Sequence, residues 1–416
     1  MRLLIIEPEA EGHHLVLYTR LLLEESLRRD WRVSVLTTES AAGHAAFRIL
    51  SANAEAAFET IVIPDIRPPS GSGSLSLLVS QFRLWKGLAA ASASNNQFRD
   101  FDIIYCVNLD YFEKALSLLG SPFAGRPFSG MLMNPKFHRA EMRIGPASRS
   151  DRLYSWLFRR LLSLNNLQSV LVVDERFLEF CNRSGYPNAG KMRFVPDVGE
   201  LSDEPSTGLT RGALGIRPDA LVVLLYGSLS RRKGVKELLQ AIEATTSEEV
   251  VALVAGKPDE ETQGFLRSER CYAMQATGKL VVRAGFQNAD EERSLFEAAD
   301  VVWLGYVGGA YGSSGVLYQA GSLGLPVIAT DVGLIGWAVT RYDVGIALDP
   351  TEGSAVIDAI RRLRNDSDLR HRLGSNGREL AHGHTGVAFA KAICDALENS
   401  AGDASGPRVV TDARAS

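Results

Sequence analysis

Short apolar runs alternate with amphipathic helical stretches along almost the whole chain. Strands this short and this continuously apolar are buried on both faces, which is the condition of parallel sheets covered by helices. Two series can be read. The first has strand-like runs at residues 3–6, 33–36, 102–107 and 171–173, with a helix expected over 15–29. The second has runs at 221–226, 250–255, 280–283, 301–304 and 326–329, with a helix expected over 235–244. Between them, residues 196–211 carry Pro, Gly, Ser, Thr and acidic residues without a period, which reads as a linker near residue 205. The expected architecture is α/β with two Rossmann-like domains, 1–205 and 206–385, followed by a helix and disordered tail over 386–416. Residues 68–76, with Gly71 and Gly73 among serines, read as a mobile loop in the first domain.

Composition narrows the function classes. A hydrophobic fraction of 45% and a charged fraction of 23% are globular values and exclude a disordered chain. Lys and Arg total 45 against 49 Asp and Glu, a net charge of -4, so nucleic acid is not expected as a partner and any anionic ligand must be held locally. Cys106, Cys181, Cys271 and Cys394 show no metal or redox spacing, which fits a reducing compartment. The opening apolar run is too short for an export signal, and no run approaches the roughly 18 residues of a membrane helix. A cytoplasmic protein is expected, with membrane contact peripheral at most.

Two segments suit phosphate. Tyr226-Gly227-Ser228-Leu229-Ser230-Arg231-Arg232-Lys233-Gly234 ends one strand and opens a helix, so cationic side chains stand beside unpaired backbone N–H groups. A solvated basic turn is the plainer alternative. Farther on, Gly308-Gly309-Ala310-Tyr311-Gly312-Ser313-Ser314-Gly315 follows a buried strand and precedes a helix over 316–322. Small residues there let backbone N–H groups approach an anion. Both segments lie at strand ends of one domain, where parallel sheets bind ligands.

Taken in order, residues 227–234, Leu253-Val254-Ala255-Gly256-Lys257, Ala284-Gly285-Phe286, Ala298-Ala299-Asp300-Val301 and the run from Gly315 through Gly333 resemble retaining glycosyltransferases of GT-B fold, glycosyltransferase family four. The resemblance covers most of residues 212–385. The amino half resembles the family more loosely, through its first strand, the loop Gly12-His13-His14 and Val195-Pro196-Asp197. It implies two parallel sheets facing across a cleft. It also implies a UDP- or GDP-linked sugar donor as substrate, no cofactor and no metal. Lys233 would neutralise the donor diphosphate, Gly227 and Gly256 would line the nucleotide pocket, and backbone near Phe286 would contact the base. Ser313, Ser314, Gly315 and Val316 would cradle the phosphates.

The chain departs from the family in three places. Tyr311 and Gln319 stand where the family usually has two glutamates seven residues apart, for the donor sugar and the ribose. Ser228 replaces an arginine, so Arg231 or Arg232 is left to supply the second positive charge. Gln319 can hydrogen-bond a ribose hydroxyl as a neutral group. If the pocket otherwise matches the family, Gln319→Glu should tighten nucleotide binding; if a neighbouring acceptor takes the amide NH2, the same change should weaken it.

In the amino half, His13 or His14 and His138, which follows a strand, are candidate catalytic residues; each is equally readable as a surface histidine. Asp366-Ser367-Asp368 looks like a metal motif of another fold and reads better as a helix cap. Residues 152–162, opening on Arg152 and closing on Leu162, are basic and amphipathic. They suit an anionic membrane surface, though the Leu and Phe spacing favours a core helix. The leading functional expectation is a retaining hexosyltransferase acting on a carbohydrate or lipid-linked acceptor in polysaccharide or glycoconjugate synthesis. A non-catalytic sugar-nucleotide-binding subunit and a sugar-nucleotide epimerase of similar fold remain open.

Overall fold

The computed structural model describes residues 1–404 except 11–13, 54–57, 66–73, 95, 136, 202–207, 246–248 and 310–311. Among the described residues the strands form two parallel sheets. The first holds β1 (Arg2–Ile6), β2 (Arg32–Thr38), β3 (Phe58–Ile63), β4 (Ile103–Cys106), β5 (Phe128–Leu132), β6 (Leu167–Val172) and β7 (Met192–Phe194), in the order β3-β2-β1-β4-β5-β6-β7. The second holds β8 (Leu221–Tyr226), β9 (Val250–Gly256), β10 (Leu280–Ala284), β11 (Val301–Leu304), β12 (Val327–Thr330) and β13 (Gly345–Leu348), in the order β10-β9-β8-β11-β12-β13. Two core clusters line the second sheet, because every residue of β9 and β11 is buried and alternate side chains serve opposite faces.

The chain divides into two compact units. One comprises Met1–His138, Ala147–Val195 and Val387–Ser416; the other comprises Arg139–Pro146 and Pro196–Gly386. The chain passes from the first unit to the second at Val195/Pro196, and helix Gly386–Ala404 belongs to the first unit from Val387 on, where Phe389 stacks on Tyr18 at 4.8 Å. Arg29 also donates to Asp395 there at 2.7 Å. That helix runs to Ala404, and residues 405–416 lie outside the described residues. The expected mobile loop lies outside them as well up to residue 73, and helix Ser74–Ser94 takes its last three residues. Asp366 caps helix Ser367–His382, its carboxylate accepting from Leu369 N at 2.8 Å, as the sequence suggested.

At the end of β1, Glu7 is 0% exposed; one carboxyl oxygen accepts from Glu9 N and the other has no partner among the described residues. Burial pushes this carboxyl from its ordinary 4.5 up to about 8. The folded state therefore holds the proton more tightly than the unfolded chain. Glu7's contribution to stability is full below pH 4.5 and is lost as pH rises through about 8. Glu7→Gln, neutral at every pH, should melt near wild type at pH 5 and several degrees above it at pH 8, since about 1 kcal/mol moves Tm by roughly 2–4 °C in a domain of this size. Equal melting temperatures at both pH values would show that the carboxyl titrates normally.

Candidate functional site

In the second sheet β8 is followed in sequence by β9 on one side but is bonded on its other side to β11. The direction of winding reverses there, and ligands of open α/β sheets bind outside the strand ends at such a reversal. The ends of β8 and β11 carry Gly227 and Tyr306.

Lys233 follows β8 and is 8% exposed. A buried ammonium needs partners. Its Nζ donates to the Tyr226 carbonyl at 3.1 Å and to the Tyr306 hydroxyl at 3.0 Å. The Tyr306 hydroxyl in turn lies 3.0 Å from Ser314 Oγ. The backbone is strapped in place as well. Trp303 Nε1 donates to the Lys233 carbonyl at 3.1 Å, and Val307 N donates to the Arg232 carbonyl at 2.9 Å. Burial alone would raise the Tyr306 phenol, yet Lys233, Ser314 and Arg232 outweigh it and hold the group below the usual tyrosine value.

The two arginines part company. Arg232 lies over the Tyr306 ring at 5.2 Å, on the ring that Lys233 also faces at 5.0 Å. Arg231 turns to Glu261, 3.7 Å away, which also receives Lys236 at 2.9 Å. Arg232 thus stands beside Lys233 on the Tyr306 ring, and Arg231 lies in an exposed ion pair.

Beside this cluster begins helix Gly315–Ser322. Its N-cap, Ser314, makes no side-chain cap because its hydroxyl is directed to Tyr306. The N–H groups of Gly315 and Val316 have no intrahelical acceptor, the arrangement that suits an anion at a helix start. The segment after Pro196 closes over it: a Cβ on Gly199 would stand 2.3 Å from the Gly315 carbonyl. Only glycine permits that approach. Gly256 plays the same part under Gly227, where a Cβ would lie 1.8 Å from the Gly227 carbonyl oxygen, and its φ of +130° favours glycine independently.

Gln319 is held by its amide: Nε2 donates to Glu292 Oε1 at 2.9 Å and to the Glu200 carbonyl at 3.3 Å. A neighbouring acceptor for the NH2 group is therefore present. Phe286 is 89% exposed in the loop after β10. Gln287 fixes that loop by donating to the Arg283 and Gly285 carbonyls at 3.3 and 3.2 Å. Ser313 is half-buried next to Ser314. Gly12, His13 and Tyr311 lie outside the described residues, as does the side chain of His14.

His138 belongs to the first unit. It is 2% exposed, with Nε2 3.1 Å from Asp174 Oδ2 and its ring packed near Phe177 and Phe180 at 5.0 and 5.8 Å. Asp174 simultaneously caps helix Glu175–Arg183. In helix Arg149–Leu162, Leu157, Phe158, Leu161 and Leu162 enter the core while Leu153 and Trp156 are exposed. The sequence reading missed Tyr226, Glu292 and Tyr306. The one available signal was that a tyrosine closes or follows each of the two strands at the reversal point.

Residues 208–380, within the second unit, match the family described as Glycosyl transferases group 1. The architecture is GT-B, and solved structures of that fold align over nearly all of the chain. Sucrose-phosphate synthase from Thermosynechococcus elongatus aligns with a TM-score of 0.68 at 19% identity, covering 97% of this chain and 100% of that one. HepE of Anabaena, solved in complex with UDP and glucose, aligns with a TM-score of 0.64 at 20% identity, covering 96% and 100%. Among curated proteins, D-inositol 3-phosphate glycosyltransferase of Corynebacterium urealyticum is 31% identical over 192 residues, 44% of this chain and 43% of that protein. The chain thus spans less than half the length of the curated relatives it first matches.

Proposed function

We propose that the protein is a retaining hexosyltransferase that moves a sugar from a UDP- or GDP-linked donor to a carbohydrate or lipid-linked acceptor in glycoconjugate synthesis. The observation that carries the reading is buried Lys233, bonded to Tyr306 beside the open start of helix Gly315–Ser322 at the sheet's reversal point. Departure of a nucleoside diphosphate builds negative charge on the leaving oxygens. A prepositioned ammonium, a helix terminus and Arg232 stabilise that charge without reorganising during the reaction. Ser313 and Ser314 supply hydroxyl donors to the same phosphates, and Gly227 and Gly256 leave room for the nucleotide. The names of the relatives, an inositol phosphate glycosyltransferase and a protein solved with UDP and glucose, support a nucleotide-sugar donor.

The test is incubation of the full chain with UDP- and GDP-hexoses and a panel of polyol and lipid-linked acceptors, following nucleotide release and the anomeric configuration of the product by NMR. An α-linked donor should give an α-linked product. Donor binding without release would identify a binding subunit, and an altered nucleotide sugar an epimerase. The exposed Leu153 and Trp156, flanked by Arg152 and Arg160, support peripheral contact to an anionic membrane. Cosedimentation with anionic vesicles that survives a double alanine substitution at Leu153 and Trp156 would contradict that contact.

A further inference from the structure

Gln319 lies four residues beyond Gly315, one turn down the same face of the helix whose start is proposed to hold phosphate. The atoms bonded to Nζ or to the open helix start do not orient it. Glu292, from the first turn of helix Ala289–Glu297, takes one of its amide protons, and the Glu200 carbonyl takes the other. With both protons committed, the amide presents its oxygen, an acceptor. Glu292 also receives the hydroxyl of Tyr226, the residue immediately before Gly227. Three side chains from β8 and two helices thus meet one residue from the glycine turn and one helical turn from the phosphate cradle. Burial pushes the Glu292 carboxyl up, and the bonds from Gln319 and Tyr226 oppose that rise. A carboxylate has about four acceptor positions. Gln319 and Tyr226 occupy two, which leaves room for ligand hydroxyls.

We infer that Glu292 is the carboxylate that recognises the ribose diol of the donor nucleotide, with the Gln319 amide oxygen as its companion acceptor. The inference rests on the nucleotide-sugar reading above. A vicinal diol donates two O–H groups, and a charged acceptor makes the stronger of the two bonds. The family's usual carboxylate at position 319 is then replaced by one on the adjacent helix, with the amide as the neutral bridge that lets the two side chains lie 2.9 Å apart. Two carboxylates at that separation would repel each other. Gln319→Glu should therefore weaken nucleotide binding, the outcome expected where a neighbouring acceptor takes the amide NH2.

The experiment is calorimetric titration of UDP, GDP and their 2′,3′-dideoxy analogues against wild type, Glu292→Gln, Gln319→Glu and Lys233→Ala, each checked by thermal melting. Wild type should prefer the ribose form. Glu292→Gln should lower affinity for that form by about tenfold, the scale of a charge-assisted hydrogen bond, and leave the dideoxy form unchanged. Gln319→Glu should lower it by a similar factor. If UDP or GDP binds and Lys233→Ala weakens it, but Glu292→Gln keeps the full ribose preference or Gln319→Glu tightens binding, the assignment of Glu292 is overturned and the donor reading stands. If neither nucleotide binds wild type, both fall.

Discussion

Lys233→Ala should cut sugar transfer by roughly tenfold to thousandfold, the range seen when one preorganised charged stabiliser is removed. The argument begins with burial. An ammonium 8% exposed is retained against its desolvation cost only by its contacts, here the Tyr226 carbonyl and the Tyr306 hydroxyl. The alanine variant loses the charge proposed to meet the leaving diphosphate and also frees Tyr306 from the partner that lowers its phenol. Turnover and nucleotide affinity should both fall, because the diphosphate is charged in the ground state and more so as it departs. Tyr306→Phe separates the two effects: it keeps the ammonium but removes the hydroxyl between Lys233 and Ser314. Its loss of activity should be the smaller, on the order of tenfold, the scale of one hydrogen bond. Steady-state kinetics of nucleotide release measure all three proteins, and an alanine variant with wild-type kcat and KM would remove Lys233 from the site.

Gly256→Ala should be the most destabilising single methyl addition at the site. The new Cβ would lie 1.8 Å from the Gly227 carbonyl oxygen, and the backbone φ of +130° is strained for any L side chain. Strain and overpacking each cost about 1–3 kcal/mol, so a Tm fall of roughly 5–15 °C is expected for a domain of this size. The displaced Gly227 turn should weaken nucleotide binding as well. Gly264→Ala is the control, since that glycine lies in helix Glu260–Leu266 with nothing within 4 Å of the added carbon. It should melt at or slightly above the wild-type temperature. Identical melting of the Gly256 variant and wild type would mean that the two turns do not touch as described.

The second sheet was largely legible because its central strands are apolar on both faces: β8, β9 and β11 were read within one or two residues. The strands left out of the sequence reading lack that property. β13 is half-exposed over three of its four residues, β3 has one buried residue, and β7 is three residues long. Lys233 was legible because a strand, a glycine turn and a helix start follow one another locally. Its partner Tyr306 was not, being 73 residues away in sequence. Gln319 was visible as a departure from a family pattern, whereas Glu292, 27 residues earlier, became relevant only once two helices lay side by side. His138 shows the reverse case: its position after a strand was readable, but the Phe177, Phe180 and Asp174 that enclose it arrive from about forty residues on, and only their packing makes it a buried, paired histidine.

The central claim, that the second unit holds a nucleoside diphosphate at the reversal point of its sheet, is tested most directly by the melting temperature of the full chain with UDP, with GDP and with neither. One of the two nucleotides should raise Tm, since a ligand at about 100 times its dissociation constant stabilises by roughly 2.7 kcal/mol, and Lys233→Ala should abolish most of that rise at the same concentration. A wild-type melting temperature unmoved by millimolar UDP and GDP, or a rise that Lys233→Ala leaves intact, would contradict the account.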